Sequence, residues 1–161
     1  MRRSAFAIGA VAALVIFPSI TSAQSLTEQE ITRQIIDGFN YTNTHLQTRS
    51  GEYSQHGSLE FWSSGGLLQE VTASGRVDEY DAINIQPKHI KVITLVEGQA
   101  AVAHYYSEGS MKPKGYPATS NYFVRVTAVY VKEDSAWKIR SEHFSAVLGG
   151  GGTTQTAQTT P

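Results

Sequence analysis

Cysteine is absent from the 161 residues. That one absence excludes a disulfide scaffold, a thiolate nucleophile, a zinc finger and an iron–sulfur centre together. Charge of either sign is also sparse: 13 Lys and Arg stand against 14 Asp and Glu, for a net charge of −1. A chain without a basic excess cannot neutralise a phosphate backbone, so nucleic acid is not an expected partner. Nucleotide cradles are missing too, since there is neither a G-x-G-x-x-G nor a P-loop, and no serine sits in a nucleophile elbow. His45, His56, His89, His104 and His143 lack any paired spacing on one element, and no Asp-rich calcium loop exists. No cofactor and no metal are expected. What remains is 40% hydrophobic and 10% aromatic, enough for one domain with its own core.

The first segment reads as an address. Met1-Arg2-Arg3 is a basic head, residues 5–17 are almost wholly apolar, and Pro18 breaks the run before Thr21-Ser22-Ala23. This is the three-part pattern of a secretory signal, with cleavage expected after Ala23. The apolar run is shorter than the roughly 20 residues of a membrane span, so no membrane attachment is expected after cleavage. The expected location is the periplasm or the exterior. At the other end, 149–161 is Gly, Thr and Gln without apolar periodicity and is expected to be a flexible tail. The expected domains are therefore a signal peptide at 1–23, a globular body at 24–148 and the tail at 149–161.

Within the body the hydrophobic period changes once. Ser25 and Thr27 are each followed three residues later by a glutamate, and Ile31, Ile35, Phe39 and Leu46 recur at helical spacing. A capped helix is expected from there to Ser50-Gly51, with a helical turn over 52–56. Leu59-Glu60-Phe61-Trp62 and Leu67-Leu68-Gln69-Glu70-Val71 flank Ser63-Ser64-Gly65-Gly66 and predict a hairpin. A second helix is expected over 77–85, ended by Pro87. From Lys88 the period is two. Strands are expected up to Val96, over 100–107, 120–132 and 137–147, with a loop at 109–117. The expected fold is α+β: a long N-terminal helix and short helices packed in the concave face of a strongly curved, mainly antiparallel mixed sheet.

This order of elements, closing on Asp134-Ser135-Ala136-Trp137-Lys138-Ile139 and His143-Phe144-Ser145, resembles the nuclear transport factor 2-like superfamily. Its members include ketosteroid isomerase, scytalone dehydratase, SnoaL-like polyketide cyclases and the association domain of calmodulin-dependent kinase. The resemblance implies a cone in which a bent sheet wraps its helices around a pocket, and a homodimer formed through the sheet. It also implies that the set of residues containing Phe144 and the set containing Ala128 face the pocket. Alternation along strands then yields the candidate wall: Trp62, His104, Tyr106, Tyr122, Val124, Val126, Arg140, Glu142 and Phe144. A bulge in any strand would reverse its parity.

Such a pocket suits a small hydrophobic or aromatic molecule. Where the resemblance implies a steroid isomerase's base, this chain has Trp62; where it implies an oxyanion-stabilising acid, it has Ala128. The preferred reading is therefore a binding or dimerisation module without turnover. The alternative is a lyase, isomerase or polyketide-cyclase-like enzyme with His104 and Glu142 as its acid–base candidates and Tyr106 or Tyr122 as oxyanion group. Arg140 and Glu142, two apart on one strand, could instead form a structural ion pair. Phe123 and Val129, on the outer face, are candidates for the subunit contact.

Overall fold

The computed structural model describes residues 25–147; the expected signal peptide and tail lie outside them. The chain runs from one helix, α1 (Leu26–His45), through six strands: β1 (Ser58–Phe61), β2 (Gln69–Val71), β3 (Tyr80–Val96), β4 (Ala100–Pro113), β5 (Thr119–Glu133) and β6 (Ala136–Ala146). They form a single sheet in the order β2-β1-β6-β5-β4-β3. Every pairing is antiparallel except β1 with β6, which is parallel.

Helix α1 starts where the capping signal places it. The Ser25 hydroxyl accepts from the Glu28 backbone N–H at 3.2 Å, and Glu28 puts a negative charge beside the positive end of the helix. Thr27 turns away from capping and ties the helix to the β3–β4 turn, donating to Glu97 Oε1 at 2.9 Å and accepting from the Gly98 N–H at 2.9 Å. The helix stops at His45, short of the expected Ser50, because Leu46 adopts a left-handed conformation. The chain beyond it pairs with the start of β3: Tyr80 N–H donates to Leu46 O and Thr48 N–H to Asp78 O. Asn43, one turn earlier, clasps both the N–H and the carbonyl of Ile85 with its side chain.

Two helices expected from the sequence are absent among the described residues. The stretch 77–85 enters β3 instead. Its helix-like spacing of Tyr80 and Ile83 comes from an irregularity in the pairing with β4 between Tyr80 and Ala82, which adds a residue to the period of two. Pro87 lies inside this strand without breaking the sheet, because β3 is an edge and has a free side for a residue without an N–H. Residues 52–54 extend rather than coil, Ser54 N–H donating to Ile139 O and Ile139 N–H to Glu52 O, and a single tight turn follows, closed by Gly57 N–H on Ser54 O. The expected loop at 109–117 is shorter, because β4 continues to Pro113. Gly109 makes that continuation possible. Its φ of 151° disfavours other residues, and a Cβ there would lie 2.0 Å from the Asn84 carbonyl oxygen.

Register shifts near His89, after Gly109 and between Val129 and Tyr130 bend the long strands. The helix lies against the inner face, mostly on β3. At its N-terminal end Ile31 and Ile35 join the core of Ala101, Ala103, Val124, Val126 and Ala128. Short side chains on the sheet let the helix backbone approach closely and exclude water. Trp137 completes this end, its indole N–H donating to Glu30 Oε2 at 2.7 Å.

Candidate functional site

Toward the C-terminal half of α1 the inner face of the sheet changes from alanine and valine to tyrosine, and a cavity of about 230 Å³ lies there. Tyr105, Tyr122 and Tyr130 come from β4 and β5, Tyr80 from β3 and Tyr53 from the segment before β1. Burial raises every one of these phenols above its ordinary pKa, that of Tyr122 to about 12, so all are neutral donors at physiological pH.

The chemistry sits on β1 and β6. Glu60 and Glu142 are register partners in the parallel pair, and both line the cavity. Adjacent strands lie about 4.8 Å apart, so two carboxyl groups rise side by side from one face. Glu60 is only 2% exposed. Its Oε2 accepts the Trp62 indole N–H at 2.7 Å; its Oε1 and the hydroxyl of Ser58, on the same face of β1, are both buried without a well-formed hydrogen bond, although Ser58 is near enough to lower the Glu60 pKa. Ser107, 1% exposed and also lining the cavity, has an equally unpartnered hydroxyl.

Burial pushes both carboxyls up. Glu142 is driven well above the usual carboxylate range by desolvation first, then by the charges of Glu60 and Glu52. Glu60 is raised by desolvation, and the Trp62 hydrogen bond opposes the shift. Two carboxylates at this spacing cannot both ionise cheaply. Glu142 therefore carries the proton, and Glu60, stabilised by the indole, is the partner that ionises first. Two carboxyl groups of unequal acidity stand next to each other in a largely apolar chamber.

The mouth is built from opposite charges. Arg76 Nε donates to Asp78 Oδ1 at 2.5 Å, and its guanidinium lies 4.3 Å from the centre of a Trp62 ring. Asp78 is held in turn by its N–H on the Thr48 hydroxyl at 2.8 Å. Trp62 is thus the hinge between mouth and floor: one face takes Arg76 and its edge holds Glu60.

Of the wall expected from the sequence, the structure brings Trp62, Tyr122, Glu142 and Phe144 to the cavity. Val124 and Val126 share the inner face but are sealed in the core. His104 and Tyr106 are not at the cavity. On β4 the inward residues are Ala101, Ala103, Tyr105 and Ser107, because Ala103 pairs with Ala128 and Tyr105 with Val126. His104 faces outward and meets the Thr127 hydroxyl at 3.1 Å; Tyr106 packs on Phe123 outside, with ring centres 5.6 Å apart. The proposed His104–Glu142 pair is therefore separated by the sheet itself. Arg140 falls at the β5–β6 register shift and donates to Gly57 O at 3.2 Å; among the described residues no ion pair joins it to Glu142.

Glu60 is the chief residue that sequence reasoning misses. In Ser58-Leu59-Glu60-Phe61 the apolar residues Leu59 and Phe61 face out, and the polar pair faces in, which inverts the usual hydrophobic rule. Tyr105, Ser107 and Tyr130 also line the cavity without having been singled out.

The sequence profile of the SnoaL-like domain matches residues 54–149, which takes in all six strands. The chain belongs to the SnoaL-like family. Its fold is that of the nuclear transport factor 2-like proteins. An NTF2-like protein of unknown function from Prochlorococcus marinus superposes with a TM-score of 0.51 at 16% identity, over 74% of this chain and 92% of that one. Another of unknown function, from Pseudomonas putida KT2440, gives 0.52 at 16% identity, over 77% and 90%. No curated protein matches the sequence. At this identity the likeness speaks for the SnoaL-like fold, and chemistry has to be argued from the residues in the cavity.

Proposed function

We propose that this SnoaL-like domain binds a small, mostly apolar organic molecule whose polar end engages Glu60 and Glu142. One observation carries the reading: a buried carboxyl pair, with one oxygen unpartnered, on the floor of a tyrosine-lined cavity of about 230 Å³. Leaving a buried acceptor unmatched costs about 1–3 kcal/mol, and a ligand donor would recover that cost. At interior packing density such a cavity suits roughly a dozen non-hydrogen atoms.

The test is native mass spectrometry on the purified chain beside Ser107→Leu, which drives an apolar side chain into the cavity. A ligand mass on the wild type that is lost from the variant supports the reading. No adduct on either, with unchanged tryptophan fluorescence across a library of small aromatic compounds, overturns it.

The second reading is an acid–base enzyme, favoured by the protonated Glu142 beside an ionisable Glu60. Glu60 would take a proton from a carbon next to a carbonyl while Glu142 or a neutral tyrosine donates to the oxygen. Such a step exchanges substrate hydrogen with solvent, so deuterium uptake by the bound compound in D2O, lost in Glu60→Gln, separates enzyme from binder.

The leader pattern over 1–23 supports export, tested by whether the mature chain begins at Gln24. Phe123 and its neighbours on the outer face support pairing through the sheet, tested by whether the sedimenting mass is that of two chains.

A further inference from the structure

The charges around the cavity do not cancel. Of its charged lining residues, Arg49 reaches Glu52 at 3.8 Å and the Asp37 carbonyl at 3.2 Å, and Arg76 is taken by Asp78 and the Trp62 face. Both arginines are committed at the mouth. Among the described residues neither Glu60 nor Glu142 is in an ion pair; Arg76 acts on Glu60 only at a distance, and Asp78 opposes it. Helix α1 offers them no basic partner, since its lining residues are Gln34, Ile35, Gly38, Phe39 and Thr42. From β3, β4 and β5 the polar groups lining the cavity are all neutral, the phenols of Tyr80, Tyr105, Tyr122 and Tyr130 and the hydroxyl of Ser107.

An acidic floor beneath aromatic walls has a specific complement. Aromatic rings attract a cation through their negative faces, and a buried carboxylate binds an ammonium with a charge-assisted hydrogen bond. A carboxylate ligand would be repelled by Glu60, and a neutral alcohol would leave the floor's charge unpaired. We infer that the ligand is an organic ammonium, a compact aryl or alkyl amine, held with its nitrogen between Glu60 Oε1 and the Glu142 carboxyl and its apolar end among the tyrosines. This rests on the small-molecule reading above and names the chemical class of its ligand.

The inference carries a proton balance. In the empty cavity Glu142 holds a proton against the charge of Glu60. An entering ammonium stabilises both carboxylates, so the Glu142 proton leaves to the buffer as the N–H···O bonds form. No covalent bond of the ligand changes.

The test is calorimetry on the full chain with 3-phenylpropylamine and its neutral counterpart 3-phenylpropan-1-ol. Near neutral pH the amine is expected to bind about tenfold tighter or more. Its apparent enthalpy should vary with the ionisation enthalpy of the buffer in the sense of proton release, and that of the alcohol should not. Glu60→Gln should lower amine affinity about tenfold and leave the alcohol within about threefold. Should that variant fail to fold, the buffer series on the wild type decides alone. An alcohol that binds as tightly as the amine, or amine binding without proton release, overturns the ammonium assignment while the small-molecule reading stands. Binding of neither compound at millimolar concentration removes the ammonium assignment for ligands of this size, and the adduct and library experiment then decides the small-molecule reading separately.

Discussion

Tyr105 and Tyr106 are neighbours in sequence and lie in different environments. Tyr105 is 6% exposed, meets Phe39 of α1 edge to face at 6.0 Å, and lines the cavity. Tyr106 is 37% exposed and, on the other side, meets His89 edge to face and Phe123 at a tilt. The same division runs through the whole sheet. Inside are alanine, valine, tyrosine and the two buried glutamates; outside are histidines, aromatics and half-exposed aliphatics such as Ile93 and Leu95. One sheet thus carries two surfaces, and a one-residue step decides which chemistry a side chain meets. The inner surface stores most of the stability and the candidate site; the outer is free to meet solvent or a second copy.

The sharpest break in that comparison comes from the closed end. Ile31 is fully buried against the alanine-rich inner face, and Ile31→Ala should cost about 4 kcal/mol in denaturant unfolding, since the rigid strands around it cannot collapse into the space. Ile93→Ala, on the half-exposed outer surface, should change stability by about 0.5 kcal/mol. Equal effects would mean that the two faces do not differ as described.

Register, which keeps the faces apart, is next. Gly109→Ala places a methyl group 2.0 Å from the Asn84 carbonyl at a backbone angle few residues adopt. A loss of about 3 kcal/mol is expected, with amide exchange accelerating first along β3 and the end of β4. A smaller effect follows from the clasp that fixes the helix to the sheet edge. Asn43→Ala removes the bonds of 2.7 Å and 3.0 Å to Ile85 and should cost about 2 kcal/mol.

How much of this could be read from the sequence depends on the face in question. Periodicity finds α1 and the alternation of β5, because their apolar residues face the core, while the β1–β2 hairpin is found from its turn residues, since Leu59 and Phe61 face out. It fails at irregularities. The irregularity at Tyr80 imitates a helix, and the shift at Tyr130 moves Arg140 out of the inward set; on β4, whose pairing with β5 is regular from Ala100 to Gly109, apolar and aromatic residues occupy both faces, so alternation alone exchanges Tyr105 for Tyr106. A pairing irregularity carries no composition of its own, so only the partner strand reveals it. The site was half legible for a related reason. Glu142 was found through its strand, whereas Glu60 is an inward polar residue between two outward apolar ones, and a rule that sends charge to solvent assigns it to the wrong side. Functional sites are where that rule is expected to fail.

The carboxyl pair gives the inner surface a pH dependence of its own. Glu142 has a native pKa raised far above its unfolded value of about 4.3. Between those two values the native state holds more protons than the unfolded one, so stability is complete below the unfolded value and falls as pH rises through the native value. The slope reaches about 1.4 kcal/mol per pH unit. Glu142→Gln stays neutral at all pH and should flatten that decline, so that the gap between the urea midpoints of variant and wild type is constant below about pH 4 and widens, in the variant's favour, as pH rises toward 8. Parallel profiles would show that Glu142 ionises in the cavity at no cost.

The smallest effect is the most specific to the division of the sheet. His104 stands on β4 between Ala103 and Tyr105, within a residue of the cavity along the chain, yet its ring meets only the exposed Thr127 hydroxyl among its hydrogen-bond contacts. If side matters more than distance along the chain, His104→Ala should change stability by less than about 0.5 kcal/mol and leave ligand affinity and the pH profile of the carboxyl pair untouched. Its neighbour Tyr105→Ala, one step away, should loosen the wall and lower affinity. A His104 variant that altered binding would require the two surfaces to communicate through the sheet, and the separation between them would then be chemical rather than functional.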